Sequence, residues 1–178
     1  MTAATALIVI DLQAGVLEGC FDADGVVART RALVERARAA AVPVVWVQHE
    51  DEYMPRGSPL WQWVDGLDPA PLEVRVFKTC WDSFADTPLR EVLEGMGARR
   101  LVVAGAQSDY CIRTTAQRAA ADGYEVLLAG DAHTTADSAF GGVAMSGEQI
   151  VAHVNGYFAG LRYPGTRVGI AAHDVIAF

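Results

Sequence analysis

Cysteine is scarce in this chain of 178 residues: Cys20, Cys80 and Cys111 are the only three. They form no CxxC pair and cannot all be bridged, which argues against a disulfide framework and a thiolate zinc site. Positive charge is also in short supply, with 14 Lys and Arg against 22 Asp and Glu, a net charge of −8 and a pI near 4.9. Such a balance disfavours nucleic acid and anionic membranes as partners. Long apolar runs are missing too, since segments 6–10 and 101–106 fall far short of the roughly 20 residues a membrane-spanning helix needs. No basic leader or cleavage site precedes the strand-like TALIVID, so a cytoplasmic location is the default expectation. Repeats, low-complexity tracts and dividing linkers are absent as well, and residues 1–178 read as one domain.

What is present is an ordinary globular composition, 52% apolar and 20% charged. Short β-branched runs at 6–10, 42–48, 74–77, 101–105, 126–129 and 168–170 alternate with amphipathic stretches at 25–41, 88–96, 111–122 and 147–160. That βαβα alternation predicts an α/β fold with a parallel sheet covered on both faces. Thr87 before Pro88 marks a helix start, and Gly97 and Gly123 stand where left-handed helix ends fall. The segment 49–73 is too long for an ordinary connection, holds four prolines together with Trp61 and Trp63, and is expected to cover a site or a subunit surface.

Ligands of open parallel sheets bind beyond the carboxyl ends of the strands. Four polar clusters fall there: Asp11-Leu12-Gln13, Gln48-His49, Lys78, and the run from Gly105 to Cys111. Cys111, at the start of the helix CIRTTAQRAAADG, is expected to have its thiol pKa lowered by the helix dipole and by a nearby Lys78. Asp11 would take or hold the proton that leaves the sulfur. Taken singly, each residue has a plainer reading as a structural thiol, a solvated charge or a helix cap. Their joint placement is what points to an acid/base-assisted nucleophile.

These residues resemble a known family. Asp11-x-Gln13, Lys78 followed by Ser83-Phe84, and Gly105-x-x-x-Asp109-Tyr110-Cys111-Ile112 leading to Gly123-Tyr124 and Asp131-Ala132 are similar to the isochorismatase-like cysteine hydrolases, in family order from Leu7 to about Asn155. The superfamily includes nicotinamidases, N-carbamoylsarcosine amidases, ureidoacrylate amidases and isochorismatases. The resemblance implies a three-layer αβα, doubly wound fold with a six-stranded parallel sheet of order 3-2-1-4-5-6. It further implies a triad of Asp11, Lys78 and Cys111, a cis peptide between Ala106 and Gln107, and an oxyanion hole from the backbone N–H groups of Gln107 and Cys111. A homodimer or homotetramer is implied as well.

Departures from the family narrow the expectation. Metal-binding nicotinamidases carry Asp-x-His after the second strand and a further His, whereas this chain has Gln48-His49-Glu50-Asp51-Glu52 and no second His before His133. No metal and no other cofactor are expected. His49 reads either as a loop histidine or as a substrate contact, and the acidic run Glu50-Asp51-Glu52 either as a solvated face, as a loose cation site or as steering for a basic substrate. Vinyl-ether isochorismatases often lack the cysteine, so Cys111 favours hydrolysis of a C–N bond in a small amide, carbamoyl or cyclic amide compound. A vinyl-ether hydrolase and a noncatalytic binding module remain as alternatives. Gln13, Trp81 and Tyr110 are the candidate substrate contacts, with segments 49–73 and 133–146 shaping the pocket, while His133 reads as a structural or subunit-contact residue. The loop DLQAGVLEG has neither a dinucleotide fingerprint nor a P-loop lysine. The Ala-rich faces around 36–41 and 116–121 are candidates for subunit packing.

Overall fold

Strands that are apolar on both faces can only sit inside a sheet covered on both sides, and β1 is one of these. A computed structural model describes residues 4–178. In chain order its strands are β1 (Thr5–Ile10), β2 (Val44–His49), β3 (Val74–Lys78), β4 (Arg100–Ala106), β5 (Glu125–Thr134), β6 (Ser138–Phe140), β7 (Val143–Met145) and β8 (Val168–Ala171). Six of them form one parallel sheet ordered β3-β2-β1-β4-β5-β8. This is the expected winding, and the sixth sheet strand is β8 because the hairpin β6–β7 intervenes.

The helices are α1 (Ala14–Leu17), α2 (Ala23–Ala39), α3 (Leu89–Gly95), α4 (Arg113–Ala121) and α5 (Gly147–Gly160). Alternation along each central strand divides the core in two. Ile8, Ile10, Val45 and Val103 pack against Leu89, Leu93, Ala116 and Phe158 of α3, α4 and α5. Leu7, Val9, Trp46 and Val102 pack against Val26, Leu33, Val34 and Ala37 of α2. The result is three layers, and among the described residues no helix is long and apolar enough to cross a membrane.

Most expected boundaries fall within two residues of the observed ones. Gly97 and Gly123 do take positive φ, +65° and +94°, and the Thr87 hydroxyl accepts the Leu89 N–H at 3.2 Å at the start of α3. Three expectations are corrected. Residues 108–112 wind as a π-helical turn, so α4 begins at Arg113 rather than at Cys111. The short α1 and the β6–β7 hairpin were not expected, because three- and four-residue elements carry no readable period. Ala37, Ala116, Ala119 and Ala120 are buried inside the chain, where small side chains let α2 and α4 lie close to the sheet. These four serve packing within the chain, while Ala39, Ala40, Ala41 and Ala121 of the same stretches are exposed.

Register brings the polar strand ends together. Ile10 stands beside Val47 on one side and Gly105 on the other, while His49 stands beside Lys78. Gly105 has φ +134°, and a Cβ there would lie 2.0 Å from the Ile10 carbonyl oxygen. Only glycine lets β4 approach β1 this closely at the edge where the site lies.

Candidate active site

Asp11 leaves β1 in the left-handed region at φ +51°, a conformation that Asp tolerates better than most residues, and its N–H donates to the Val47 carbonyl at 2.9 Å. Its carboxylate Oδ2 lies 2.6 Å from Lys78 Nζ. The same ammonium donates to Cys111 Sγ at 3.2 Å. Asp11, Lys78 and Cys111 are 0%, 2% and 8% exposed, so this cation sits between two acidic groups almost out of water.

Burial works against the charge of Lys78, yet Asp11 and Cys111 beside it hold its pKa above the ordinary lysine value. Burial likewise pushes the Asp11 carboxyl up, against the lowering pull of Lys78 and of the hydrogen bond from Cys111. The Cys111 thiol is pushed up to about 12, first by burial and then by the Asp11 charge, with Lys78 opposing. The expectation of a resting thiolate is therefore corrected. Cys111 lies within the π-helical turn at the buried floor of the cavity, and loss of water together with Asp11 outweighs the helix dipole and Lys78. One cation serves two acidic groups, and Asp11 holds it more closely.

The turn that carries Cys111 is pinned from several elements. The Ala106–Gln107 peptide is cis. The Gln107 amide donates to the Val16 carbonyl at 3.0 Å, and the Thr135 hydroxyl donates to Asp109 Oδ1 at 2.7 Å. Ser108 Oγ meets His133 Nδ1 at 2.8 Å, and His133 Nε2 meets Asn155 Oδ1 at 3.1 Å. Burial lowers the pKa of His133 and favours its neutral form, in keeping with a structural role. Ser108 falls within the polar run singled out from the sequence, whereas the role of Asn155 was missed. Asn155 is the only asparagine in the chain, which was a readable signal.

The Asp11 and Cys111 side chains open into a cavity of about 510 Å³. Trp81 and Tyr110, edge to face at 4.9 Å, form one wall, and Gln107 lies beside them. His49, Asp51, Tyr53, Met54 and Leu60 from segment 49–73 form another, so that segment does cover the cavity, with Trp61 packed on Phe77 and Trp63 on Trp46 as its anchors. Segment 133–146, expected to shape the pocket, does not line it; Gly15, Val16 and Glu18 around α1 do so instead. Residues 138–145 are held in their own hairpin, and Thr135 acts from outside by bonding Asp109.

Gln13, expected at the substrate, is fully buried and does not line the cavity. Its amide donates to the carbonyls of His49 at 3.0 Å and Trp61 at 2.9 Å and accepts the His49 N–H at 2.8 Å, so it ties the covering segment to the sheet. Cys80 is exposed and Cys20 partly buried. The acidic run is divided: Glu50 pairs with Arg56, while Asp51 accepts the N–H groups of Tyr53 and Met54 and lies 3.4 Å from His49 Nε2. Among the described residues no three His, Cys, Asp or Glu side chains are grouped to hold a metal ion.

The family model of the isochorismatase domain matches residues 5–154. This chain belongs to the isochorismatase family. Among its relatives, a streptothricin hydrolase of Streptomyces noursei is 41% identical over 138 residues, covering 74% of this chain and 55% of that protein. It spans about half the length of the two streptothricin hydrolases it matches. A ureidoacrylate amidohydrolase of Caulobacter segnis is 29% identical over 153 residues, covering 62% of this chain and 64% of that protein. The crystal structure of an isochorismatase from Pseudomonas putida superposes with a TM-score of 0.88 at 28% identity, covering 98% of this chain and 90% of that one.

Proposed function

We propose that this isochorismatase-family hydrolase cleaves a C–N bond of a small amide, carbamoyl or cyclic amide compound through a thioester on Cys111, without a cofactor. The observation that carries the proposal is the position of Lys78 Nζ, 2.6 Å from Asp11 and 3.2 Å from Cys111, both of which line the cavity. A thiol held near 12 supplies little thiolate at neutral pH, so the reaction needs a base in contact with the sulfur. Asp11 takes the thiol proton while Lys78 keeps its charge, and the single negative charge moves from carboxylate to sulfur beside the same cation. The thiolate attacks the carbonyl carbon, and the backbone N–H groups of Gln107 and Cys111 donate to the oxyanion. Asp11 returns its proton to the leaving nitrogen as the C–N bond breaks. Water, deprotonated by Asp11, then attacks the thioester, and the departing thiolate recovers that proton.

The cavity walls favour this reading over vinyl-ether hydrolysis. Glu18 and Asp51 line it together with Asp11, no arginine does so among the described residues, and the Lys78 charge is already engaged by Asp11. Isochorismate carries two carboxylates and would enter such a cavity without a free cation to meet them, whereas a neutral or cationic amide meets no such penalty. A relative bearing the name amidohydrolase supports the same bond type. The test is ammonia release and ring opening across primary amides, carbamoyl compounds and lactams, with isochorismate alongside. Turnover of an amide that is lost in Cys111→Ala supports the proposal, and turnover of isochorismate alone overturns it. Self-association as a homodimer or homotetramer is proposed with it, on the exposed Phe140 and Val143 of the β6–β7 hairpin. Light scattering that gives a monomer mass removes that part.

A further inference from the structure

An ammonium has three protons to donate, and a flexible lysine stem aims them only if all three find acceptors. Two acceptors of Lys78 are Asp11 Oδ2 and Cys111 Sγ; His49 Nδ1, 3.4 Å from Nζ, is the third. The contact follows from register, since His49 and Lys78 are side-by-side partners at the carboxyl ends of β2 and β3. The His49 backbone is fixed on both sides by Gln13, which donates to its carbonyl and accepts its N–H. On the other ring nitrogen, Asp51 Oδ2 lies 3.4 Å from Nε2, and Asp51 is itself held by the N–H groups of Tyr53 and Met54. The two neighbours demand the same tautomer. A charged Lys78 needs a lone pair at Nδ1, and a carboxylate needs a proton at Nε2.

We infer that His49 is a positioning residue, held by Asp51 as the neutral Nε2–H tautomer, whose Nδ1 fixes the third proton of Lys78 and so keeps the ammonium between Asp11 and the Cys111 sulfur. Without it the ammonium rotor is free to give Asp11 its full attention, and the charge offered to a forming thiolate weakens. The groups that face the imidazole are Lys78 and Asp51, with the Asp11 charge beyond Lys78. The inference deepens the reading of Cys111 as the nucleophile and rests on it.

Three substitutions separate positioning from mere filling. In His49→Asn the side-chain oxygen falls near the place of Nδ1, in His49→Gln near the place of Nε2, and His49→Ala has neither. The readout is the rate of iodoacetamide alkylation at Cys111, followed on its own peptide by mass spectrometry so that exposed Cys80 does not contribute, with thermal melting to confirm folding. The expected result is a roughly tenfold slower alkylation in His49→Gln and His49→Ala, the scale of a hydrogen bond to a charged group, and substantial retention in His49→Asn. A residue that only contacts substrate leaves alkylation at the wild-type rate in all three and raises KM instead, which overturns the inference. Two-bond 15N–1H correlation of the imidazole gives an answer that needs no reactive sulfur: a proton on Nε2 alone supports the inference, and any proton on Nδ1 overturns it. A wild-type Cys111 that resists alkylation at every pH removes the nucleophile reading, and the imidazole spectrum still judges His49.

Discussion

Lys78→Met removes the one cation that, among the described residues, forms an ion pair with Asp11. The partner left behind is a carboxylate with no exposed surface, and stripping one member from a buried ion pair costs about 3–5 kcal/mol, much of it the penalty of the stranded charge. Asp11 avoids that penalty by binding a proton, so its pKa, already pushed up by burial, rises further once Lys78 is gone. The sign of the pH dependence follows. A carboxyl whose folded pKa lies above its unfolded value binds more protons in the folded state, so the variant loses stability as pH rises from the ordinary carboxyl range through the raised value. Urea unfolding of Lys78→Met is therefore expected to show a deficit of about 3–5 kcal/mol at neutral pH that shrinks toward acid. Asp11→Asn combined with Lys78→Met removes both charges and is expected to recover most of the loss while remaining inactive. A single variant as stable as the wild type, or a double variant no better than the single, refutes the reasoning that the two groups form a buried pair.

Other expectations are independent of that pair. Alanine at Gly105 meets both a positive φ and the Ile10 carbonyl at 2.0 Å, so Gly105→Ala is expected to lose at least about 3 kcal/mol or to fail to fold, read as soluble yield and melting temperature. Because the free Cys111 thiol is held near 12, its alkylation rate without substrate rises about tenfold per pH unit through the alkaline range, and a plateau by pH 8 contradicts this. Gln13→Leu leaves the His49 carbonyl and N–H without their side-chain partner and the Trp61 carbonyl with the Gln48 amide alone, and it is expected to cost about 1–3 kcal/mol in urea unfolding and to speed proteolysis within segment 49–73.

The parallel sheet was legible because β1 and β4 are unbroken apolar runs, a pattern that exposed or half-buried strands do not show. α5 was legible for a related reason, with Ile150, Val154 and Phe158 repeating at helical spacing. The strand-end rule brings Asp11, Lys78 and Cys111 to one edge from sequence alone, and the motif order around Cys111 points to the family. What sequence did not give depends on contacts across the fold. DYCIRTT reads as the start of an ordinary helix, and nothing local distinguishes its π-helical winding. The raised thiol pKa comes from burial and from a carboxylate 100 positions away, neither of which a helix-dipole argument weighs. Gln13 reads as a site residue because it neighbours Asp11, yet its side chain is used up by the covering segment. One signal was in plain view: of the 14 Lys and Arg, only residue 78 is lysine, so the chain uses arginine everywhere except at the point beside Asp11 and Cys111. A compact ammonium with three steerable protons fits that point as a planar guanidinium does not.

The central claim is that Cys111 carries the acyl group of a cleaved C–N bond. Its most direct test is intact-protein mass spectrometry during turnover of whichever amide, carbamoyl compound or lactam releases product, comparing wild type with Cys111→Ala. The expected result is an acyl mass on the Cys111 peptide that decays with product formation, and no turnover in the variant. Continued hydrolysis by Cys111→Ala, with no adduct on the wild type, would contradict the account.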